Sequence, residues 1–239
     1  MGRARARGRA RWPERRRWGR DRSPLAGPRG RTIGSVSSRP PFAAIGVAAS
    51  TGGPGAVERF LRALGPPRGA VVLVAQHMRP EVLEGFVRRL GRRLGPWVAP
   101  TRPGLPLPRG RAWVVPAHGF VRVAHDTTGR PRLWIDPGRG APPPRPAPSA
   151  DDLLTGLARV FGARTLAVVL SGMGRDGWLG AHAVAHAGGV VLAQDAASSD
   201  AWGMPGAVTA AGLTAATGPP ETLAGHAARF LAAARARAA

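Results

Sequence analysis

A chain of 239 residues, 44% of them apolar, can bury the core of one large α/β domain, or of one domain with an appendage. The absence of cysteine excludes disulfides, thiolate nucleophiles and sulfur-ligated metals. The formal net charge is +22, yet no apolar run approaches the roughly 20 residues that cross a bilayer, and no apolar segment of a secretory signal follows the basic N-terminus. We therefore predict a cytoplasmic globular protein.

Much of the charge lies in an Arg-rich leader, residues 1–42, which has no helical or strand periodicity. Its first 40 residues contain thirteen arginines against Glu14 and Asp21, so we expect it to be disordered. Such a segment can bind the phosphates of nucleic acid or of an anionic membrane. Alternatively, the arginines of the leader reflect biased codon usage and not a binding function, because Arg, Ala, Gly and Pro dominate the whole chain. We expect a nucleic-acid partner only if this leader provides the contact.

The first predicted strand, Ala43–Ala49, ends at Ser50, and a turn with the sequence Thr51-Gly52-Gly53-Pro54 follows it. Glycines let the backbone turn sharply, and Pro54 suits the first position of a helix because its missing N–H has no helical partner there. The junction therefore predicts a strand that passes directly into a helix.

The same kinds of pattern continue to the C-terminus. Continuous apolar runs predict buried strands at 70–75, 165–170 and 190–193, with a further strand near 112–115 and a small hairpin formed by 120–124 and 132–135. Helical spacing predicts helices near 57–64 and 82–90, from an N-cap at Ser149 to Phe161, from Gly177 to Ala187, and in the Ala-rich C-terminal region. Residues 138–148 are a Pro-rich linker.

Strands and helices thus alternate along residues 43–239. This alternation predicts an α/β fold: a doubly wound, mostly parallel sheet with helices on both faces and a small β-hairpin insertion.

Three polar clusters follow predicted parallel strands, and they contain Ser50, His77 and Asp176. Because parallel strands end at one edge of the sheet, we expect these side chains to lie close together. A serine hydroxyl is a weak nucleophile until an imidazole can take its proton, and a carboxylate can orient that imidazole. The pattern therefore predicts a Ser–His–Asp site.

Each of these residues also has a structural alternative. Ser50 could cap the helix that follows it, His77 could be a hydrogen-bonded core histidine, and Asp176 could be an ordinary N-cap before Gly177. The catalytic interpretation depends on all three residues lying at strand ends.

Other classes of site fit less well. Gly46, Gly52 and Gly53 do not form the Gly-x-Gly-x-x-Gly pattern of dinucleotide-binding proteins, and the chain has no lysine for a phosphate-binding P-loop. An ordinary α/β-hydrolase would have the order Ser, Asp, His. His182 and His186 have the spacing of a zinc-binding pair, but no third ligand accompanies them, so we predict no metal.

A series of motifs accompanies these elements in a fixed order. They are the opening Ile45-Gly46-Val47-Ala48-Ala49-Ser50-Thr51-Gly52-Gly53-Pro54, then Gln76-His77-Met78, Pro148-Ser149-Ala150-Asp151, Leu170-Ser171-Gly172-Met173-Gly174-Arg175-Asp176-Gly177, Ala193-Gln194-Asp195 with Ser198 and Ser199, and Gly203-Met204-Pro205. Together they resemble the catalytic domain of the CheB-type chemotaxis methylesterases, over about residues 43–212.

The resemblance implies a protein-glutamate methylesterase, which hydrolyses γ-glutamyl methyl esters on chemoreceptors, releases methanol, and in this family also deamidates receptor glutamines. It makes Ser50 the nucleophile, His77 the base and Asp176 the residue that orients the base. Thr51 and Met173 occupy other active-site positions, and we expect a backbone N–H near one of them to hold the oxyanion.

The implied partner is a methylated chemoreceptor, an acidic helical protein surface, and the resemblance implies no cofactor. A repurposed, non-catalytic signalling or binding domain of the same fold is the alternative, and the intact Ser50, His77 and Asp176 favour the enzyme.

Two features depart from the family pattern. Family members commonly carry an N-terminal receiver domain, whereas only 42 residues precede the first strand here, so we expect the catalytic domain alone, without phosphorylation control in cis. The cleft is also expected to differ, because Arg79-Pro80-Glu81 follows the His77 motif, and His118 stands slightly before the usual histidine position, near Phe120.

Overall fold

The structure is a computed structural model that describes residues 40–102, 104–117, 120–136 and 147–237. Residues 1–39 of the predicted leader, His118 and residues 138–146 of the predicted linker lie outside the described residues. The three last residues of the predicted leader do belong to the domain. The Phe42 ring packs edge-on against Phe161, with centroids 5.5 Å apart, and Arg164 donates a hydrogen bond to the Pro40 carbonyl.

A seven-stranded sheet forms the centre of the fold. Its strands are β1 (Ala43–Ala49), β2 (Ala70–Gln76), β3 (Val98–Pro100), β5 (Arg111–Val114), β8 (Thr165–Val169), β9 (Val190–Gln194) and β10 (Ala216–Gly218). They lie in the order β10-β9-β8-β1-β2-β5-β3, and every neighbouring pair is parallel. The predicted doubly wound, mostly parallel sheet is confirmed.

In the described parts of the chain, six α-helices cover the two faces of this sheet. They are α1 (Gly53–Leu64), α2 (Pro80–Leu94), α3 (Ala150–Phe161), α4 (Trp178–His186), α5 (Gly203–Ala210) and α6 (Pro220–Ala236). Side chains of β1 alternate between the faces: Ile45 and Val47 pack with α1, α2 and α6, whereas Ala44 and Ala48 pack with α3, α4 and α5. Each face therefore has its own buried apolar layer.

The predicted hairpin is present, but it is part of a three-stranded antiparallel sheet in the order β4-β7-β6. Its strands are β4 (Leu105–Pro106), β6 (Phe120–His125) and β7 (Pro131–Asp136). β3, β4 and β10 were not predicted because each has only two or three residues, and β3 and β4 end in proline, so no apolar periodicity marks them. Among the described residues, no helix is both long enough and apolar enough to cross a membrane.

Candidate active site

The three predicted catalytic side chains follow adjacent strands. Ser50 comes directly after β1, His77 directly after β2, and Asp176 lies in the loop between β8 and α4. Because β8, β1 and β2 are consecutive in the sheet, their carboxyl ends meet at one edge. The topology therefore brings to one place residues that are far apart in the sequence.

His77 and Asp176 are in direct contact. The His77 Nε2 atom lies 2.8 Å from Asp176 Oδ2, and both side chains are only 11% exposed. A carboxylate accepts and cannot donate, so the His77 Nε2 carries a hydrogen and donates it. The lone pair of the neutral imidazole is then on Nδ1, which is the atom left to take a proton.

Asp176 also accepts hydrogen bonds from the beginning of α3. Its Oδ2 accepts from the Ala150 N–H at 2.7 Å, and its Oδ1 accepts from the Asp151 N–H at 3.1 Å. Burial alone raises the pKa of Asp176, but the hydrogen bonds from His77 and from these two N–H groups outweigh it and hold the pKa below its ordinary value. Asp176 therefore stays ionised beside the imidazole.

The alternative that Asp176 is simply the N-cap of the helix that follows it, α4, is therefore wrong. The carboxylate satisfies the first N–H groups of α3, whereas the N-cap of α4 is Gly177 and makes no side-chain cap. Ser149 is the N-cap of α3, as predicted, and its hydroxyl accepts from the Asp152 N–H at 3.2 Å.

Ser50 lies beside His77 through the register of the sheet. Ala49 pairs with Gln76, and the His77 N–H donates to the Ala49 carbonyl at 2.9 Å, so Ser50 and His77 occupy the next pair of positions. Neighbouring strands are about 4.8 Å apart. The Ser50 hydroxyl makes no hydrogen bond within the described residues, including none to His77.

The alternative of Ser50 as a cap is also wrong, because the N-cap of α1 is Gly52, without a side-chain cap. Gly52 has a φ of +74°, and a Cβ there would lie 2.6 Å from both the Asp200 carboxylate and the Ser171 hydroxyl. Only glycine fits this turn, since both the backbone conformation and the available space exclude a side chain.

Free backbone N–H groups follow Ser50 in the chain and occur in the neighbouring loop after β8, where a Cβ at Gly172 would lie 2.9 Å from the Ser50 Cβ. The N–H groups of Thr51, Gly52 and Met173 donate to no acceptor within the described residues. Thr51 is exposed, and Met173 is 68% exposed. The structure thus leaves donors available next to both residues at which the oxyanion contact was expected.

Ser171 fixes the turn that follows Ser50. Its buried hydroxyl donates to the Thr51 carbonyl at 2.7 Å and accepts from the Ala201 N–H at 3.0 Å, while its carbonyl accepts from the Ser50 N–H at 2.9 Å. The C=O and N–H of a trans peptide point in opposite directions. The Gly52 N–H is therefore directed away from Ser171.

Sequence reasoning assigned no role to Ser171 or Gln76. Both are polar residues 1% exposed at the end of an otherwise apolar strand run. A buried polar side chain needs hydrogen-bond partners, and that requirement was the available signal. It does not identify the partners, because these are backbone groups of other strands and loops.

A cleft of about 380 Å³ lies next to Asp176. It is lined by Asp151, Met173, Arg175, Trp178 and Leu179, among others. Burial raises the pKa of Asp151, and the negative charge of Asp176 raises it further. The cleft therefore joins an apolar, partly exposed rim to a pair of neighbouring carboxylates.

The histidine pair of α4 does not form part of a larger ligand cluster. The His182 ring packs edge-on against Trp178, with centroids 4.7 Å apart. In the part of the chain that the structure describes, no group of three or more His, Asp or Glu is positioned to hold a metal ion.

Comparison with known proteins supports the resemblance seen in the sequence. Residues 45–227 match the model of the family described as CheB methylesterase. The chain is 40% identical over 198 residues to a protein of Caulobacter vibrioides named protein-glutamate methylesterase/protein-glutamine glutaminase 2, covering 82% of this chain and 56% of that protein. It is 41% identical over 183 residues to the corresponding protein 1 of Myxococcus xanthus, covering 74% and 50%.

The chain therefore spans about half the length of the curated relatives that it matches. Among solved structures, the catalytic domain of Thermotoga maritima CheB methylesterase aligns with a TM-score of 0.71 at 24% identity, over 79% of this chain and 98% of that one. At this identity the match supports the fold.

Proposed function

This chain belongs to the CheB methylesterase family, and on that basis we propose that it is a serine esterase that hydrolyses γ-glutamyl methyl esters on a protein and releases methanol. Ser50 is the nucleophile, His77 the general base and Asp176 the residue that orients the base. The observation that carries the proposal is the 2.8 Å contact between His77 Nε2 and Asp176 Oδ2, with His77 paired in register with Ser50 at the end of the β1–β2 ladder.

In the first half-reaction the Ser50 Oγ attacks the ester carbonyl, and His77 Nδ1 takes the hydroxyl proton. The imidazolium that forms is stabilised by the ionised Asp176 carboxylate. When the tetrahedral intermediate collapses, Nδ1 returns the proton to the departing methoxide oxygen. Methanol leaves, and the γ-acyl group of the glutamate remains bonded to Ser50 Oγ as an ester.

In the second half-reaction water attacks this acyl-enzyme, and His77 takes one of its protons. The C–O bond to Ser50 then breaks, Nδ1 returns the proton to Oγ, and a glutamate side chain is released. A glutamine amide can enter the same sequence with ammonia as the leaving group, because its side chain is nearly isosteric with the ester. We include deamidation in the proposal.

Negative charge develops on the carbonyl oxygen in both half-reactions. We assign its stabilisation to the free N–H groups at Thr51, Gly52 and Met173, aided by the positive end of α1. A single donor of this kind contributes about 10²–10³ in rate. The Gly52 N–H needs no rearrangement of the strands, because it belongs to the same peptide group as the Thr51 carbonyl, which Ser171 already holds.

Ser50 and His77 must come closer during the reaction, since no hydrogen bond joins them in the free protein. Such contacts are often long before substrate binds and tighten in the complex. A rotation about the Cα–Cβ bond of Ser50 moves its Oγ between staggered positions without any change in the backbone. The strand-end geometry therefore suits closure by side-chain motion.

The proposed partner is a methylated chemoreceptor, and the proposed compartment is the cytoplasm. The test is methanol release from a methylated receptor by the parent protein, by Ser50→Ala and by Ser199→Ala. Ser199→Ala is the matched control, because it removes a serine hydroxyl whose one hydrogen bond within the described residues goes to the Asp195 carbonyl. We expect Ser50→Ala to lose at least about 10³-fold in kcat and the control to keep its rate. Equal release by Ser50→Ala, or no release by the parent, overturns the proposal.

A further inference from the structure

One buried amide connects the nucleophile's strand end to the base's strand end. Gln76 is the last residue of β2 and is 1% exposed. Its Nε2 donates to the Ser50 carbonyl at 2.8 Å and to the His77 carbonyl at 3.0 Å. Both neighbours are carbonyl oxygens, which only accept, so the NH₂ end of the amide must face them.

We propose that Gln76 is a positioning residue that sets the separation of Ser50 and His77 by holding both of their carbonyl groups with one NH₂ group. This inference rests on the proposed catalytic roles of these two residues. The last ladder bond between β1 and β2 runs from the His77 N–H to the Ala49 carbonyl, and among the described residues no ladder bond reaches Ser50 itself from β2. The Gln76 amide supplies the next cross-connection.

The carbonyl end of the same amide faces the first residue of α1. Its Oε1 is buried and makes no hydrogen bond among the described residues. It lies against Gly53, where a Cβ would approach Oε1 to 2.3 Å and the Ala49 Cβ to 2.8 Å. The Gln76 Oε1 is thus left without a hydrogen bond, whereas both hydrogens of Nε2 bind carbonyl groups at the strand ends. Because a buried polar atom without a partner is costly, we infer that the site requires the two donated hydrogen bonds.

The Ser50 carbonyl has a second partner, the Gly53 N–H at 2.9 Å. That bond closes the turn at the start of α1 but reaches no atom of β2. Of the two hydrogen bonds to the Ser50 carbonyl from described residues, the one from Gln76 leads to His77. Loss of the amide should therefore leave the turn closed and release the spacing between nucleophile and base.

The test compares Gln76→Met, which removes both donors at similar side-chain length, with Thr165→Val. Thr165 is fully buried at the start of β8, and its hydroxyl donates to the Leu157 carbonyl at 3.2 Å. Thr165→Val thus removes a buried hydrogen bond at the opposite edge of the sheet, and it controls for loss of stability alone.

Two readouts are needed. The first is methanol release, measured as kcat and KM. The second is the rate at which an alkyl fluorophosphonate labels Ser50, separated into its binding and reaction steps. Labelling reports the nucleophile whatever the natural substrate is. We expect Gln76→Met to lower kcat and the reaction step of labelling by about 10- to 100-fold, with KM and probe binding nearly unchanged, since small misplacements of reacting groups have effects of this size. Thr165→Val should change neither rate.

The outcomes separate this inference from the proposed function. A folded Gln76→Met protein that labels and turns over at the parent's rates overturns the role of Gln76 and leaves the esterase intact. Equal losses in Gln76→Met and Thr165→Val also overturn it, because the effect would then be one of stability. A parent protein that labels but releases no methanol overturns only the proposed substrate. A parent that does neither overturns both.

Discussion

Replacement of Asp176 by asparagine exchanges one carboxylate oxygen for an NH₂ group, and the contacts of this residue predict how much activity that exchange removes. Oδ2 accepts from His77 Nε2 and from the Ala150 N–H, at 2.8 and 2.7 Å. Oδ1 accepts from the N–H groups of Asp151 and Gly177, both at 3.1 Å. An asparagine oxygen can replace only one of the two.

The less costly orientation keeps the asparagine oxygen on the Oδ1 side, where it still accepts from two backbone N–H groups. The NH₂ group then faces the His77 ring, so Nε2 must become an acceptor and the ring proton moves to Nδ1. Nδ1, which the proposed mechanism uses to take the Ser50 proton, no longer has a lone pair. An imidazole held in the wrong tautomer costs about 10⁴ in kcat, which corresponds to about 5 kcal/mol of transition-state stabilisation.

Asp176→Asn should also destabilise the fold. The Ala150 N–H loses its acceptor, which costs about 1–3 kcal/mol for a buried donor, and α3 loses a negative charge at its N-terminus, which costs about 0.3–1 kcal/mol. We expect a total near 2–3 kcal/mol in urea unfolding. Methanol release measured well below the unfolding midpoint separates the catalytic effect from the loss of stability.

Asp151→Asn is the matched control, because it makes the same chemical change in the neighbouring carboxylate. The Asp151 Oδ1 accepts from the Gly180 N–H at 2.8 Å, and an asparagine oxygen can keep that bond. We expect its kcat to stay within about threefold of the parent, since it has no contact with His77 to lose. An Asp176→Asn protein that retains more than a tenth of the parent's kcat, or a control that falls as far, would refute the tautomer argument.

Two further changes test the surroundings of the proposed triad. Ser171→Ala removes the hydroxyl that holds the Thr51 carbonyl at 2.7 Å, so we expect a loss of about tenfold or more in kcat. Ser199→Ala is the control. Equal kcat in the two variants would contradict a role for this contact in positioning the proposed oxyanion donors. The raised pKa of Asp151 means that its ionised form is disfavoured in the folded state, so the parent loses stability as the pH rises from the ordinary aspartate pKa through the raised one. Asp151→Asn should therefore have the higher urea midpoint at pH 7 and lose this advantage in acid, whereas a constant difference at all pH values would contradict the assignment.

Much of the fold could be predicted from the apolar runs because buried parallel strands have few polar residues. The bounds of β1 agree with the prediction, and those of β2, β8 and β9 differ by one residue. The short strands β3, β4 and β10 could not be predicted, because pairing with a neighbouring strand, and not a pattern in their own residues, makes these segments strands. The packing of Phe42 against the domain could not be predicted either, because its contact is with the distant residue Phe161.

For the site, the sequence by itself determined which side chains stand at the carboxyl ends of the strands, because the alternation of apolar strands and helices implies a parallel sheet and a common edge. Tertiary structure decided the rest. It placed Nε2 of His77, rather than Nδ1, on a carboxylate 99 residues away, and it used that carboxylate to satisfy the start of α3. It also aimed the Gln76 amide at two strand ends at once. The direction of a hydrogen bond between distant segments depends on how their backbones pack, and no local pattern of residues encodes that packing.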